Sequence, residues 1–264
     1  MTAAGLDGLR RRAPNVVLAL DSIGGFAALA LAVGSRIWRR PPAARDVLRQ
    51  IDMMGIRSIS VAILTSIFSC MVVAVQFTVQ MARFGAQDYV ALVVSLSEVR
   101  ELGPVLTALM VGGRVGAGIT AELGSMNVTE QIDAMRSMGA DPVRALVMPR
   151  VLAAVITLPI LTAVADAVGI AAAMVMANLE SGVPFARFYY ATIRAVTPAD
   201  LLGGLGKAAF FGGVISLIAC NHGLSARGGT DGVGRATTRT VVVTSVVTLV
   251  ADFLFTKVLV VIGV

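Results

Sequence analysis

Cys220 and His222 bring a thiol and an imidazole close together in the sequence, and such a pair can serve as nucleophile and base. They sit two residues apart at the end of an apolar segment, which on a helix turns them away from each other. We read them as part of a polar loop and expect no catalytic residue in the chain. One His and two Cys, the other being Cys70, leave almost nothing from which to build a zinc site. Each cysteine lies in its own apolar segment, where a free thiol behaves as a small hydrophobe, so no disulfide is expected. The glycine-rich stretch 228–239 is like a phosphate-binding loop only superficially. No strand precedes it, and the Gly-x4-Gly-Lys-Ser/Thr pattern occurs nowhere. The chain is not expected to bind ATP itself or to carry a cofactor.

Arg100 and Glu101 lie about 11 residues into an apolar run. Ionisable groups at that depth are costly and normally face a cavity or a partner. An arginine there suits a lipid phosphate or carboxylate. The alternative is an ion pair with another segment, through Glu122, Asp166 or Asp252. Gly112 and Gly116 form a GxxxG that lets helices approach closely, within the chain or between two copies.

The stretch from Asn127 to Pro142 has the signals of a short helix. Asn127 suits an N-cap, with Glu130 three residues on as in a capping box. Gly139 suits the C-terminal end, and Pro142 forbids continuation. The expected helix covers 128–138 and is too short to span a bilayer. Val128, Ile132, Met135 and Met138 form one apolar stripe. That stripe serves equally for docking into a groove on another protein or for packing on the chain's own body.

The elements that hold these residues are membrane helices. Of 264 residues, 56% are hydrophobic and only 14% charged, against about 25% charged in an average chain. Residues 1–55 read as a cytoplasmic and interfacial helical region: a loose polar start, an apolar stretch over 16–37 that lies in the interface or spans shallowly, and an amphipathic helix over 43–57. Residues 56–264 hold five apolar segments, about 56–81, 89–123, 143–178, 201–219 and 241–264, each long enough to cross a bilayer. With the N-terminus inside, regions 1–57, 126–150 and 220–240 carry fifteen basic residues, against Arg83, Arg187 and Arg194 outside. That is a clear positive-inside bias, and five spans then leave the C-terminus outside. The net charge of +6 is explained by this bias, and no nucleic-acid partner is expected. The fold class is an all-α integral membrane protein.

Three stretches together resemble the MlaE/YrbE permease family, the membrane subunits of bacterial lipid-transporting ABC systems. They are RELGPVLTALMVGGRVGAGITAELGSM (100–126), TEQIDAMRSMGADPVRALVMPRVLA (129–153) and GVGRATTRTVV (232–242), in matching order and spacing over roughly residues 20–264. Cys220-Asn221-His222-Gly223 departs from the family, many of whose members carry an aromatic after a small residue.

The resemblance implies a multi-pass protein of the bacterial inner membrane, paired as a homodimer. It implies as partners two cytoplasmic ATPase subunits, which hold the ATP and Mg, and a periplasmic ring of MCE-domain protein. The helix over 128–138 matches the family's coupling helix, with Glu130, Gln131, Asp133, Ala134, Met135, Met138, Asp141 and Pro142 as ATPase-coupling residues. Val73, Gln80, Met81, Phe84, Arg100 and Leu102 match the lining of the family's lipid cavity, with Arg100 as a headgroup contact and Glu101 as a structural or pocket partner. The implied function is a permease moving lipid, phospholipid in the first place, between the inner membrane and the MCE partner. The alternatives are an ion-coupled secondary transporter using Glu101, Glu122, Asp166 or Asp252, an intramembrane hydrolase using Cys220 and His222, and a structural scaffold.

Overall fold

A computed structural model describes residues 14–37 and 41–262 of the chain. The loose start expected over 1–15, and the Trp38-Arg39-Arg40 closing the first apolar stretch, lie mostly or wholly outside them. The described residues form helices and no strands. The first two are α1 (Pro14–Ile37) and α2 (Ala44–Ile51). The long ones are α3 (Ile59–Arg83), α5 (Gly103–Val128), α7 (Met148–Ser181), α9 (Pro198–Leu224) and α10 (Gly229–Ile262). Between them lie the shorter α4 (Val90–Ser97), α6 (Gln131–Ser137) and α8 (Phe185–Ala195). Five stretches are long and apolar enough to cross a membrane: Ala44–Arg83, Val90–Val128, Val143–Ser181, Pro198–Leu224 and Gly229–Val258. The fold class is thus the all-α membrane class read from the sequence.

Two boundaries differ from the sequence reading. A wide π-type turn, Asp52–Ile56, and the turn at Arg57 and Ser58 lead α2 on to α3, so the first long apolar stretch begins at Ala44 where about 56 was expected. A second wide turn, Glu98–Leu102, joins α4 to α5, and the interruption falls just before Gly103-Pro104. One element went unforeseen. The loop expected between the third and fourth spans contains α8, whose Phe188 is buried while Tyr189, Tyr190 and Ile193 are exposed. Two tyrosines on a short helix beside the spans fit the membrane–water boundary, where an apolar ring and a polar hydroxyl are both satisfied.

Small residues set the packing. In each span they recur every fourth position on the buried face: Ala62, Ser66, Cys70, Ala74 and Thr78 on α3, and Ala108, Gly112, Gly116, Thr120 and Gly124 on α5. The run on α7 is Ala165, Gly169, Ala173 and Ala177, and on α9 it is Gly204, Ala208, Gly212, Ser216 and Cys220. Thr240, Thr244 and Thr248 continue the pattern on α10. Lipid supplies no hydrophobic drive between helices, so close contact along such ridges supplies much of the cohesion. The GxxxG of α5 packs within the chain, Gly112 against Ile215 and Gly116 against Ile215, Ala219 and Thr240. The buried apolar residues form three clusters: one near the α6 end around Leu123, Val147 and Met148, one near the α8 end around Val90, Val94 and Phe188, and one between them around Val111, Leu158 and Phe211.

Candidate functional site

The wide turn Glu98–Leu102 follows from Pro104. Proline has no N–H, so the carbonyl of Arg100, four residues back, lacks its helical donor. Lys207 on α9 supplies one: its Nζ donates to Arg100 O at 3.0 Å. The backbone of α9 comes so close here that a Cβ at Gly204 would collide with Val99 O.

Lys207 is 1% exposed and sits at the centre of a polar cluster. Its Nζ donates to Glu101 Oε2 at 2.7 Å and to Thr256 Oγ1 at 2.8 Å, and lies 3.3 Å from Asp252 Oδ1. Thr256 in turn donates to Glu101 at 3.0 Å. One residue earlier, Arg100 turns the other way. Its Nε donates to Asp200 Oδ1 at 2.6 Å, and Nη2 pairs with the same oxygen. Asp200 is also the third residue of a capping box with Thr197 at the start of α9. The Arg100 side chain remains 45% exposed, so donors of its guanidinium fork are left for the surface.

These partners answer the question left by the sequence. Arg100 pairs with Asp200, a residue outside the expected set of Glu122, Asp166 and Asp252. Glu101 and Asp252 share Lys207. Glu122 pairs with Arg150 at 2.8 Å, and Arg150 also donates to Leu146 O at 2.6 Å. Asp166 lies instead beside a carboxylate the sequence reading passed over, Glu98. Ser66 Oγ is 2.9 Å from Glu98 Oε1 and 2.7 Å from Ala165 O, the residue before Asp166. Glu98 and Asp166 are both buried, and Glu98 Oε2 and Asp166 Oδ1 have no hydrogen-bond partner among the described residues. The signal was available in the sequence, since Glu98 lies in the same apolar run as Glu101.

The other lipid-lining candidates occupy the α8 end of α3. Val73 and Met81 pack against the cluster around Val90 and Phe188. Gln80 is exposed, and Phe84, just past the end of α3, is 82% exposed. Leu102 is half-buried on the wide turn. The clefts described in the chain, of about 720, 530 and 210 Å³, lie toward the opposite end, around Arg144, Arg235 and Arg114 respectively.

At that opposite end the coupling segment is shorter than expected. Asn127 is not an N-cap: it lies in the last turn of α5 and donates to Ala226 O at 2.9 Å. Glu130 occupies the N-cap of α6 with a left-handed φ of 58° and makes no side-chain cap bond, so the expected capping box is absent. The helix covers Gln131–Ser137, seven residues, in place of 128–138. Gly139 does close it, at φ 77°. Ala140 N donates to Met135 O and Gly139 N to Arg136 O, the pair of bonds typical of a glycine-terminated helix.

The apolar stripe divides. Ile132 is fully buried against the body, Met135 is half-buried, and Met138 is 77% exposed. Glu130, Gln131, Asp133 and Ala134 are exposed beside it. Asp141 is engaged within the chain: it accepts from Val143 N at 3.0 Å and pairs with Arg36 of α1 at 3.1 Å, while Pro142 begins the next helix.

Cys220 and His222 are both buried, Cys220 in an apolar cluster and His222 with Nδ1 2.9 Å from Thr240 Oγ1. Thr240 also bonds Thr120 at 2.9 Å. The loop reading of this pair is corrected: both are inside α9 and belong to its packed face.

Five apolar spans on small-residue ridges, with a buried polar cluster at one end and an exposed short helix at the other, define a multi-pass membrane protein. The chain belongs to the MlaE permease family, whose profile, Permease MlaE, matches residues 47–258. A probable ABC transporter permease protein of Rickettsia conorii is 40% identical over 237 residues, 90% of this chain and 92% of the relative. The intermembrane phospholipid transport system permease protein MlaE of Haemophilus influenzae is 36% identical over 214 residues, 81% of this chain and 82% of the relative. The chloroplastic protein TRIGALACTOSYLDIACYLGLYCEROL 1 of Arabidopsis thaliana is 36% identical over 240 residues, 91% of this chain and 67% of the relative. The chain is accordingly a permease of the ABC-transporter type.

Proposed function

We propose that this permease moves phospholipid between a bacterial inner membrane and a periplasmic MCE-domain partner, as one of two identical subunits driven by a cytoplasmic ATPase. ATP and Mg reside on that ATPase. The N-terminus faces the cytoplasm and the C-terminus the periplasm, a reading supported by the distribution of arginines. The observation that carries the reading is the placement of α6. It stands at the end of α5, anchored by buried Ile132, with Met138, Asp133 and Gln131 turned outward. ATP-driven closure of the ATPase pushes on α6, and α5 carries the displacement to Arg100. A lipid is moved only if its affinity differs between the two states. Arg100 provides that difference by exchanging Asp200 for a lipid phosphate. Val73, Gln80, Met81, Phe84, Glu101 and Leu102 complete the lining toward the second subunit.

The test is capture of the tagged chain from its native membrane, wild type against Asp133→Lys/Met138→Glu, with identification of bound proteins and lipids. An ABC ATPase and an MCE-domain protein are expected with wild type. The ATPase is expected to be lost from the variant, whose substitutions are on exposed positions and leave the fold intact. A variant that keeps the ATPase sinks the assignment of α6. A second reading, an ion-coupled carrier, draws on the buried carboxylates Glu98 and Asp166. Lipid movement that survives loss of the ATPase but stops when the proton gradient collapses would select it.

A further inference from the structure

Ser66 Oγ on α3 stands between two oxygens, 2.7 Å from Ala165 O on α7 and 2.9 Å from Glu98 Oε1. A hydroxyl carries one proton and can donate only one of these bonds. Ala165 O is a carbonyl and can only accept, so the hydroxyl proton goes there. The contact with Glu98 Oε1 is then a hydrogen bond only if its proton comes from the carboxyl. Glu98 is 0% exposed, and its Oε2 has no partner among the described residues. That suits the carbonyl oxygen of an un-ionised acid, since a buried carboxylate oxygen left bare is far more costly. Asp166, 4% exposed, brings a second carboxyl near enough to repel Glu98 if both were charged, and like charges so placed do not both ionise. The other titratable neighbour is the Cys70 thiol on α3. Arg100, Arg150 and Lys207 are engaged elsewhere, with Asp200, with Glu122, and with Glu101 and Asp252.

We propose that a proton is bound at this joint, on Glu98 Oε1 and donated to Ser66 Oγ, and that the wide turn seats between α3 and α7 only in this neutral form. The turn begins at Glu98 and is followed by Gly103, against which Asp166 Oδ1 lies so closely that a methyl group there would strike it. One acid therefore fixes each end of the turn that carries Arg100 and Glu101. A methyl group at Gly169 would strike Ser66 Oγ and Cys70 Sγ and lie 3.3 Å from Glu98 Oε1. Walls this close leave room for a proton and little else. A metal ion would need a fuller set of ligands, and no group of three or more His, Cys, Asp or Glu placed to hold one occurs among the described residues. The site is independent of what the permease moves. A proton that stays bound drives nothing, unlike the exchangeable one of the carrier reading.

The experiment is infrared spectroscopy of the full purified chain in mild detergent at neutral pH, as the difference between wild type and Glu98→Gln. Glutamine has nearly the shape of the protonated acid, and its amide can donate to Ser66 in the proton's place. The difference should contain the carbonyl stretch of an un-ionised carboxylic acid and no carboxylate stretch. The same band should appear when both chains also carry Asp166→Asn. In Ser66→Ala the acid loses its acceptor, and the band should shift to higher frequency. A carboxylate band in the difference overturns the proposal, and so does a Glu98→Gln chain that fails to fold, which would show that the charge is needed. A band that disappears with Asp166→Asn, or that Ser66→Ala leaves unmoved, overturns the assignment to Glu98 Oε1. A band that appears only when sodium is withdrawn identifies a sodium site and overturns the proton. The measurement needs neither the ATPase nor a transported lipid, so its failure leaves the proposed function standing, and loss of that function leaves this site standing.

Discussion

Replacing Lys207 by methionine tests whether the polar cluster beneath the wide turn holds the spans together. Methionine keeps most of the stem and removes the cation. The carbonyl of Arg100 then loses the Lys207 donor, and Pro104 cannot replace it. Asp252 loses its nearby cation, while Glu101 keeps Thr256. Removing one member of a buried ion pair costs about 3–5 kcal/mol. Glu101 is 37% exposed, so water offsets part of its loss, and the lower end, about 3 kcal/mol, is the expected value. At about 2–4 °C per kcal/mol for a chain of this size, the unfolding midpoint should fall by about 6–12 °C. The assay is thermal unfolding of the purified chain in one detergent, followed by the loss of monodisperse protein. The companion variant Lys207→Met/Glu101→Gln/Asp252→Asn removes the stranded charges and should recover most of the loss. An unchanged midpoint for Lys207→Met, or a companion no better than the single variant, would refute the reasoning.

Further outcomes follow from the packing. Gly204→Val should lose about 3 kcal/mol or more and yield aggregated protein, because its Cβ meets Val99 O, whereas Gly206→Ala, with nothing near it, should purify like wild type. Glu122→Leu should destabilise by about 3 kcal/mol because it strands buried Arg150, while Arg150→Leu, which frees a half-exposed glutamate, should cost about 1 kcal/mol. A comparison of the two midpoints decides it. Cys220→Ala and His222→Ala should both retain transport, with His222→Ala costing about 1 kcal/mol for the lost Thr240 bond. Loss of lipid movement in well-folded protein would restore the hydrolase reading.

The spans were legible because apolar length is a local property, written residue by residue between the charged loops. The partners of the buried charges were not. Arg100 and Asp200 are a hundred residues apart, and only the packing of α9 on the wide turn decides that Asp200, and neither Asp166 nor Asp252, is the carboxylate within reach. Glu98 lies two residues before the stretch that carries the family resemblance, which begins at Arg100, and no local pattern marks it as paired with Asp166. The four-residue recurrence of small side chains runs through all five spans, but only in the GxxxG of α5, where both positions are glycine, does it form a pattern recognisable without the packing. The short helix was placed correctly but drawn too long. Asn127 satisfies every local criterion for a cap and is instead claimed by Ala226, a tertiary acceptor 99 residues away.

Between the wide turn and the short helix, α5 runs unbroken for 26 residues, about 39 Å. Its sides are held by α9 and α10 through residues too small to yield. In the proposed mechanism it is a connecting rod: what displaces Glu130 along the axis also displaces Arg100. The joint at the far end is Asp200, which grips the arginine and caps the first turn of α9 with the same carboxyl group. When the rod moves, the arginine can let go without unwinding α9, because the cap to Thr197 survives on the other oxygen. In the proposed mechanism the joint is a latch: the ion pair opens and recloses on one oxygen of Asp200 while the cap of α9 stays made on the other.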